Sequence, residues 1–139
     1  MEYHVRINGN DRNSGSASDA FKTISKAARA ARPGDTIIVH EGIYREWVNP
    51  ARGGTEDKRI IYRAASEEKV TITGAEIIKD WKNVGGTVWK TVIPNSLFGS
   101  YNPYKDKICG DWLYLQDNVF HTGEVYLNGK SMYETAFLE

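Results

Sequence analysis

Apolar residues in the first half of the chain fall into short extended runs separated by turn chemistry. Tyr3 to Ile7 alternates apolar and polar letters, Thr36 to Val39 is a β-branched run, and Ile43 to Val48, Arg59 to Arg63 and Val70 to Thr73 follow. Runs of this length suit strands and are too short for helices. Phe21, Ile24, Ala27, Ala28 and Ala31 instead recur at helical spacing. This spacing predicts a helix over about 21–31, capped by Ser18, Asp19 or Thr23 and stopped at Pro33-Gly34. Its small, Ala-rich face suits a lid laid over the open end of a strand stack. The pivotal stretch is Pro33 to Val48, PGDTIIVHEGIYREWV. Pro33-Gly34-Asp35 makes a turn, and Glu41-Gly42 breaks the run into two strands at an angle. A corner of this kind fits a coil of a parallel β-helix, which bends without reversing. The same letters also fit one hairpin of an ordinary β domain. Ile37-Ile38 and Ile60-Ile61 lie 23 positions apart, a spacing that suits a solenoid repeat. It predicts 36–40 beside 60–64 in parallel.

The pattern changes near Ile77, where we place a boundary between residues 1–77 and 78–139. Eleven of the 16 aromatic residues lie from Trp81 onward. Trp89 to Ile93 reads as a strand, and Leu97 to Leu115 is a loop-rich aromatic stretch. Glu124 to Leu127, Asn128-Gly129 and Lys130 to Tyr133 together read as a hairpin, since Asn-Gly favours the turn that matches strand twist. This half reads as antiparallel, like the opening of a β-sandwich. Trp81 and Trp89 are expected in its core. The fold class is therefore mostly β, with one short capping helix.

Composition narrows the function classes. Lys plus Arg and Asp plus Glu each total 18, so no bulk field points to nucleic acid or an anionic membrane. Cys109 is the only cysteine; it forms no internal disulfide and is expected to be a small buried thiol. The start, MEYHVRINGN, carries no charged-then-apolar leader, which gives the expectation of a cytoplasmic protein.

Candidate chemistry is sparse. Asp11, Asn13 and Gly15 faintly echo a calcium loop, but the spacing is wrong and the closing Glu is missing. His4, His40 and His121 show no zinc-binding spacing, so no metal and no cofactor is expected. Asp35, Glu41 and Glu46 sit at turns and corners, where structural roles suffice. The best binding signal is the aromatic loop, where Asn102, Tyr104, Asp111 and Trp112 combine flat apolar faces with groups that bond hydroxyls. Sugars present C–H faces and hydroxyl rings, the complement of this set. Filling a sandwich core is the competing role for Tyr104 and Trp112.

The segments PGDTIIVHEGIYREWVNP, DKRIIYRAA, EKVTITGAE, IPNSLFGSYNPYKD, GDWL and HTGEVYLNGKS resemble the N-terminal part of β-xylosidases of glycoside hydrolase family 120. The first segment is shared by many β-helix proteins; the last three are more specific. The resemblance implies N-terminal cap and first coils of a right-handed parallel β-helix over 1–77, followed by part of an inserted antiparallel β-sandwich over 78–139. It implies retaining hydrolysis of terminal β-xylosides by two carboxyl groups, about 5–5.5 Å apart. The family carries these on later coils, so no catalytic residue is assigned in this chain, and the chain alone is expected to be inactive. The expected partner is a xyloside or xylo-oligosaccharide, bound through Trp112, Asp111, Tyr104 and Asn102. An unfinished solenoid would leave an open strand edge, so marginal stability or self-association, including a homo-oligomer, is also expected. Two alternatives are a non-catalytic carbohydrate-binding or structural β-helix segment and a β-helix polysaccharide lyase. Neutral charge and the imperfect calcium loop weigh against the lyase.

Overall fold

The structure is a computed structural model that describes residues 1–112 and 119–135. The chain divides into two compact units, Met1–Ile77 and Ile78–Glu139. Among the described residues the structure is mostly β, with one α-helix and one short 3-10 turn.

In the first unit, β1 (Glu2–Val5), β2 (Thr36–Val39) and β4 (Ile61–Ala64) form one parallel sheet in the order β1-β2-β4. The strands β3 (Gly42–Arg45) and β5 (Val70–Thr73) form a second parallel pair. The 36–40 and 60–64 segments are thus parallel neighbours, and the hairpin alternative for 36–48 does not occur. The repeat length needs correction. Thr36 faces Ile61, an offset of 25 rather than 23 residues, and Gly42 faces Val70, an offset of 28. Register is set by Asp35, whose carbonyl accepts from Ile61 N–H at 3.0 Å, and not by matching Ile60 to Ile37. Ile60 sits before the strand and packs half-buried against the core. The second offset is longer because the link from β4 to β5 contains a wider turn than the β2–β3 corner, with Glu67 in the left-handed region at φ 61°.

The corner itself depends on Gly42. Its φ is 149°, and a Cβ there would lie 2.4 Å from the Ile7 side chain, so only glycine fits without displacement.

The helix α1 (Ile24–Ala30) is shorter than predicted at both ends. Phe21 is held in a parallel bridge to Val5 instead of a helical turn. The N–H groups of Lys22 and Thr23 donate to Asp11 Oδ1 at 3.0 and 2.9 Å. Thr23 is the N-cap, its side chain accepting from Lys26 N–H. Glu46 reaches across from the end of β3 and accepts from Ile24 N–H at 2.9 Å and Ser25 N–H at 2.8 Å. The donors that a helix start leaves unpaired are therefore satisfied by three side chains. At the other end, the Arg52 guanidinium donates to the carbonyls of Arg29 and Ala31.

The core lies between α1 and the first strands. It comprises Val5, Phe21, Ile24, Ala27, Ala31, Ile37, Val39 and Tyr44. Ala at 27 and 31 lets the helix approach closely, and Ile37 fills the sheet side. Tyr44 is buried, and its hydroxyl donates to the His40 carbonyl at 2.9 Å and also faces that of Val5 at 3.2 Å. Ile43, Ile61 and Ile72, on the later strands, are largely exposed.

In the second unit, β6 (Lys82–Gly85) and β7 (Val88–Lys90) form an antiparallel pair with an irregularity between Asn83 and Gly85. The strand expected over 89–93 is therefore shorter and starts earlier, and its partner is a strand that the sequence pattern did not reveal. The Asn-Gly hairpin is present as β8 (Tyr126–Leu127) and β9 (Lys130–Ser131). Both turn residues have positive φ, 51° at Asn128 and 77° at Gly129, as a type I′ turn requires. Trp81 and Trp89 are not core residues: both are exposed, and the Trp81 indole N–H donates to the Ile78 carbonyl. Cys109 is exposed rather than buried. Leu113 to Leu115, which close the predicted aromatic stretch, and Phe137 lie outside the described residues.

Candidate functional site

Local backbone chemistry builds one part of the site. Pro94 opens a 3-10 turn over Asn95–Phe98. Asn102 then closes a turn on itself. Its side-chain oxygen accepts from Tyr104 N–H at 2.9 Å, while its carbonyl accepts from Lys105 N–H at 3.0 Å. This is the self-bonding for which Asn is favoured in turns. The Asn102 amide also donates to Asn95 Oδ1 at 2.9 Å. Tyr104 is pinned on both sides: its ring meets Phe98 edge-on at 5.6 Å, and its hydroxyl donates to the Glu124 carbonyl at 3.1 Å.

Beside Asn102 lies an open depression of about 380 Å³, lined by Asn95, Ser100, Tyr101, Asn102, Lys105 and Asp106 among others. The Tyr101 hydroxyl donates to Asp106 Oδ2 at 2.8 Å and lies 2.7 Å from Thr122 Oγ1. The lining offers amide, hydroxyl, ammonium and carboxylate groups together, a set able to bond several hydroxyls of one ligand.

Asp111 and Trp112 are not among the residues that line this depression. Trp112 is 73% exposed. Its ring lies against Gly110, where a Cβ would stand 2.4 Å from the indole nitrogen. Among the described residues Trp112 is therefore largely open to solvent and not packed in a core. The structure brings Asn102 and Tyr104 together. Among the described residues, no hydrogen bond or ring contact joins either of them to Asp111 or Trp112.

Sequence reasoning missed Asn95, Tyr101, Lys105 and Asp106, although three of these lie in or beside the YNPYKD segment. It also missed a His121–Glu134 pair, with Nδ1 and Oε1 2.5 Å apart. These two lie thirteen positions apart, and no local pattern announces such a pair.

A general acid needs its pKa raised. Among the described residues every carboxyl group that is clearly perturbed is lowered. For Glu124 the cause is the Tyr126 hydroxyl and then Ser131; for Glu134 it is the His121 side chain and then its N–H. For Glu68 it is the Glu41 N–H followed by the His40 ring. Asp35 is lowered by the terminal ammonium and the Arg32 N–H. At Asp11, burial works upward but the Thr23 N–H and hydroxyl and the Lys22 N–H outweigh it. Asp11 is thus a clamp on the helix start. Among the described residues no group of three or more His, Cys, Asp or Glu side chains is placed to hold a metal ion. No helix among them is long and apolar enough to cross a membrane.

Comparison with known proteins fits this geometry. Residues 78–139 match the family described as glycoside hydrolase 120, insertion domain. Residues 7–51 match a family described as a protein of unknown function, DUF1565. A solved structure described as the complex of XylC with xylose is 54% identical, with a TM-score of 0.92 over 99% of this chain and 22% of that one. A second, described as a glycoside hydrolase, is 31% identical, with a TM-score of 0.53 over 63% of this chain and 17% of that one. The uncharacterized protein YwoF of Bacillus subtilis (strain 168) is 34% identical over 74 residues, 53% of this chain and 16% of YwoF. The chain thus spans about a fifth of the length of XylC. With the insertion domain matched over 78–139 and the XylC likeness running through nearly the whole chain, the chain resembles part of the β-xylosidase-like glycoside hydrolases of family 120.

Proposed function

We propose that this chain supplies the opening coils and the insertion domain of a retaining β-xylosidase-like glycoside hydrolase. In this reading residues 1–77 are the cap and first coils of a right-handed parallel β-helix. Residues 78–139 are part of a β-sandwich that presents sugar-contacting side chains. The parallel β1-β2-β4 and β3-β5 pairings support the first assignment, and the antiparallel β6–β7 and β8–β9 pairs support the second. The observation that carries the functional reading is Trp112, an exposed indole face set by Gly110 within the matched insertion domain.

Trp112 stacks on the apolar face of a xylosyl ring, and Asp111 bonds its hydroxyls. Asn102 and Tyr104 hold the neighbouring loop, and Asn102 opens onto the polar depression. Hydrolysis itself requires a nucleophile and an acid/base supplied from outside residues 1–139. The lowered carboxylates described above are each occupied with holding local structure. The chain alone therefore binds xylosides without cleaving them.

The test is release of the aryl group from an aryl β-xyloside by the purified chain. No release above the blank is expected. Turnover abolished by changing a single carboxylate of this chain would overturn the assignment.

A further inference from the structure

Three passes of the first unit meet in a line of hydrogen bonds that the sugar-binding reading does not use. His4, on β1, and His40, just after β2, stack with centroids 5.2 Å apart and planes 22° apart. His4 Nδ1 lies 2.9 Å from His40 Nε2. His40 Nδ1 lies 3.0 Å from Glu68 Oε1, in the turn before β5. Glu68 Oε2 also accepts from Glu41 N–H at the β2–β3 corner. The line joins residues 36 and 28 positions apart, and the His40 side chain is only 12% exposed.

The proton positions follow from donor and acceptor rules. Ionised Glu68 only accepts, so His40 Nδ1 carries a proton. His40 Nε2 is then the lone-pair nitrogen of a neutral ring, so His4 Nδ1 donates to it. A first added proton has a place at His4 Nε2, outside the line, and breaks nothing. A second must go to His40 Nε2. There it removes the acceptor that His4 uses and sets two imidazolium rings face to face.

We propose that His4, His40 and Glu68 form an acid-sensitive staple across three chain passes, which holds while the two rings share at most one added proton and opens when both are protonated. The surrounding charges bear on the same balance. Glu2 favours a charged His4, whereas Arg6 and Arg63 oppose it, and burial opposes it most. Arg6 also faces Glu68. Beside the corner, Tyr44 faces Glu68, Glu46 and Arg6. Opening separates His4 from His40 and so frees the β1 end of the line, while His40 keeps Glu68 as its partner through Nδ1–H.

The experiment is imidazole nitrogen NMR on the full chain between pH 8 and 4, together with urea unfolding of the full chain and of His4→Phe over the same range. At pH 8 the spectra should show His40 protonated on Nδ1 only and His4 protonated on Nδ1. On acidification the second proton should bind at least about tenfold more weakly than the first, as expected of coupled sites. The His4→Phe chain keeps a stacked ring without the shared proton, and its urea midpoint should move less with acid than that of the unaltered chain. Two rings that titrate independently with similar affinity, or His40 protonated on Nε2 at pH 8, would overturn the staple. An acid response unchanged by His4→Phe would do the same. Should His4→Phe fail to fold, the nitrogen spectra of the unaltered chain decide alone.

Discussion

Eleven apolar side chains between Val5 and Tyr44 are buried in the first unit, whereas in the second no described side chain is buried, although most aromatic residues lie there. The first unit builds its core from modest letters: Ala on α1 and Ile and Val on β1 and β2. The second carries Trp81, Trp89 and Trp112 on its surface. The contrast teaches that apolar content and core are different things. Small side chains bury fully where a helix and a sheet meet closely, and large rings left open mark surface available for contact. In the proposed function the first unit is the scaffold and the second the contact surface for sugar.

The contrast breaks most directly under large-to-small substitution. Ile37 is fully buried, so Ile37→Ala should cost about 2–5 kcal/mol in urea unfolding of the full chain. Trp89→Ala should fall within about 0.5 kcal/mol of the unaltered chain, as surface changes do. Equal losses would erase the distinction. A smaller effect is expected at the helix start. Glu46→Ala removes the acceptor of the Ile24 and Ser25 N–H groups and should cost about 0.5–2 kcal/mol, the range of a lost cap. Loss of the exchange protection of the α1 amides would accompany it.

Acid should sharpen the comparison further. Burial, followed by the charge of His40, lowers His4 below its ordinary value of 6.5. Below that value the unfolded chain binds a proton that the folded unit resists, so stability falls as pH drops through this range. In the second unit the lowered groups are Glu124 and Glu134, whose ordinary value is 4.5. Their contribution is present above 4.5 and lost as pH falls below it. Residue-resolved amide signals in urea should show the first unit weakening as pH falls below 6.5 and the second only below 4.5; the reverse order would contradict the assignment. The smallest stability effect is expected from Gly110→Ala. It should displace the Trp112 ring and change its fluorescence while the unfolding midpoint stays within about 0.5 kcal/mol.

Much of the first unit was legible because its signals are local. Pro33-Gly34-Asp35 and Glu41-Gly42 announce their turns, and the short β-branched runs between them are strands. Register was not legible: the Ile37 and Ile60 match misled by two residues, because Asp35 and Ile61 set the pairing through backbone atoms that no side-chain pattern reports. β6 was missed because Lys82–Gly85 contains a single apolar letter, Val84, and its pairing depends on the Gly85-Gly86 turn. In the site, the Asn102–Tyr104 turn was readable from neighbouring residues. Exposure of Trp112 was not, since burial is decided by the whole packing. The pairs His121–Glu134 and His4–His40 are brought together only by the fold.

Sugar contact through Trp112 is tested most directly by titrating the full chain with xylobiose while following the indole N–H signals of its tryptophans. The Trp112 signal should shift saturably, the shift should vanish in Trp112→Ala, and the xylobiose should remain intact. A Trp112 signal that stays still, or a response confined to Trp47, Trp81 and Trp89, would contradict the account.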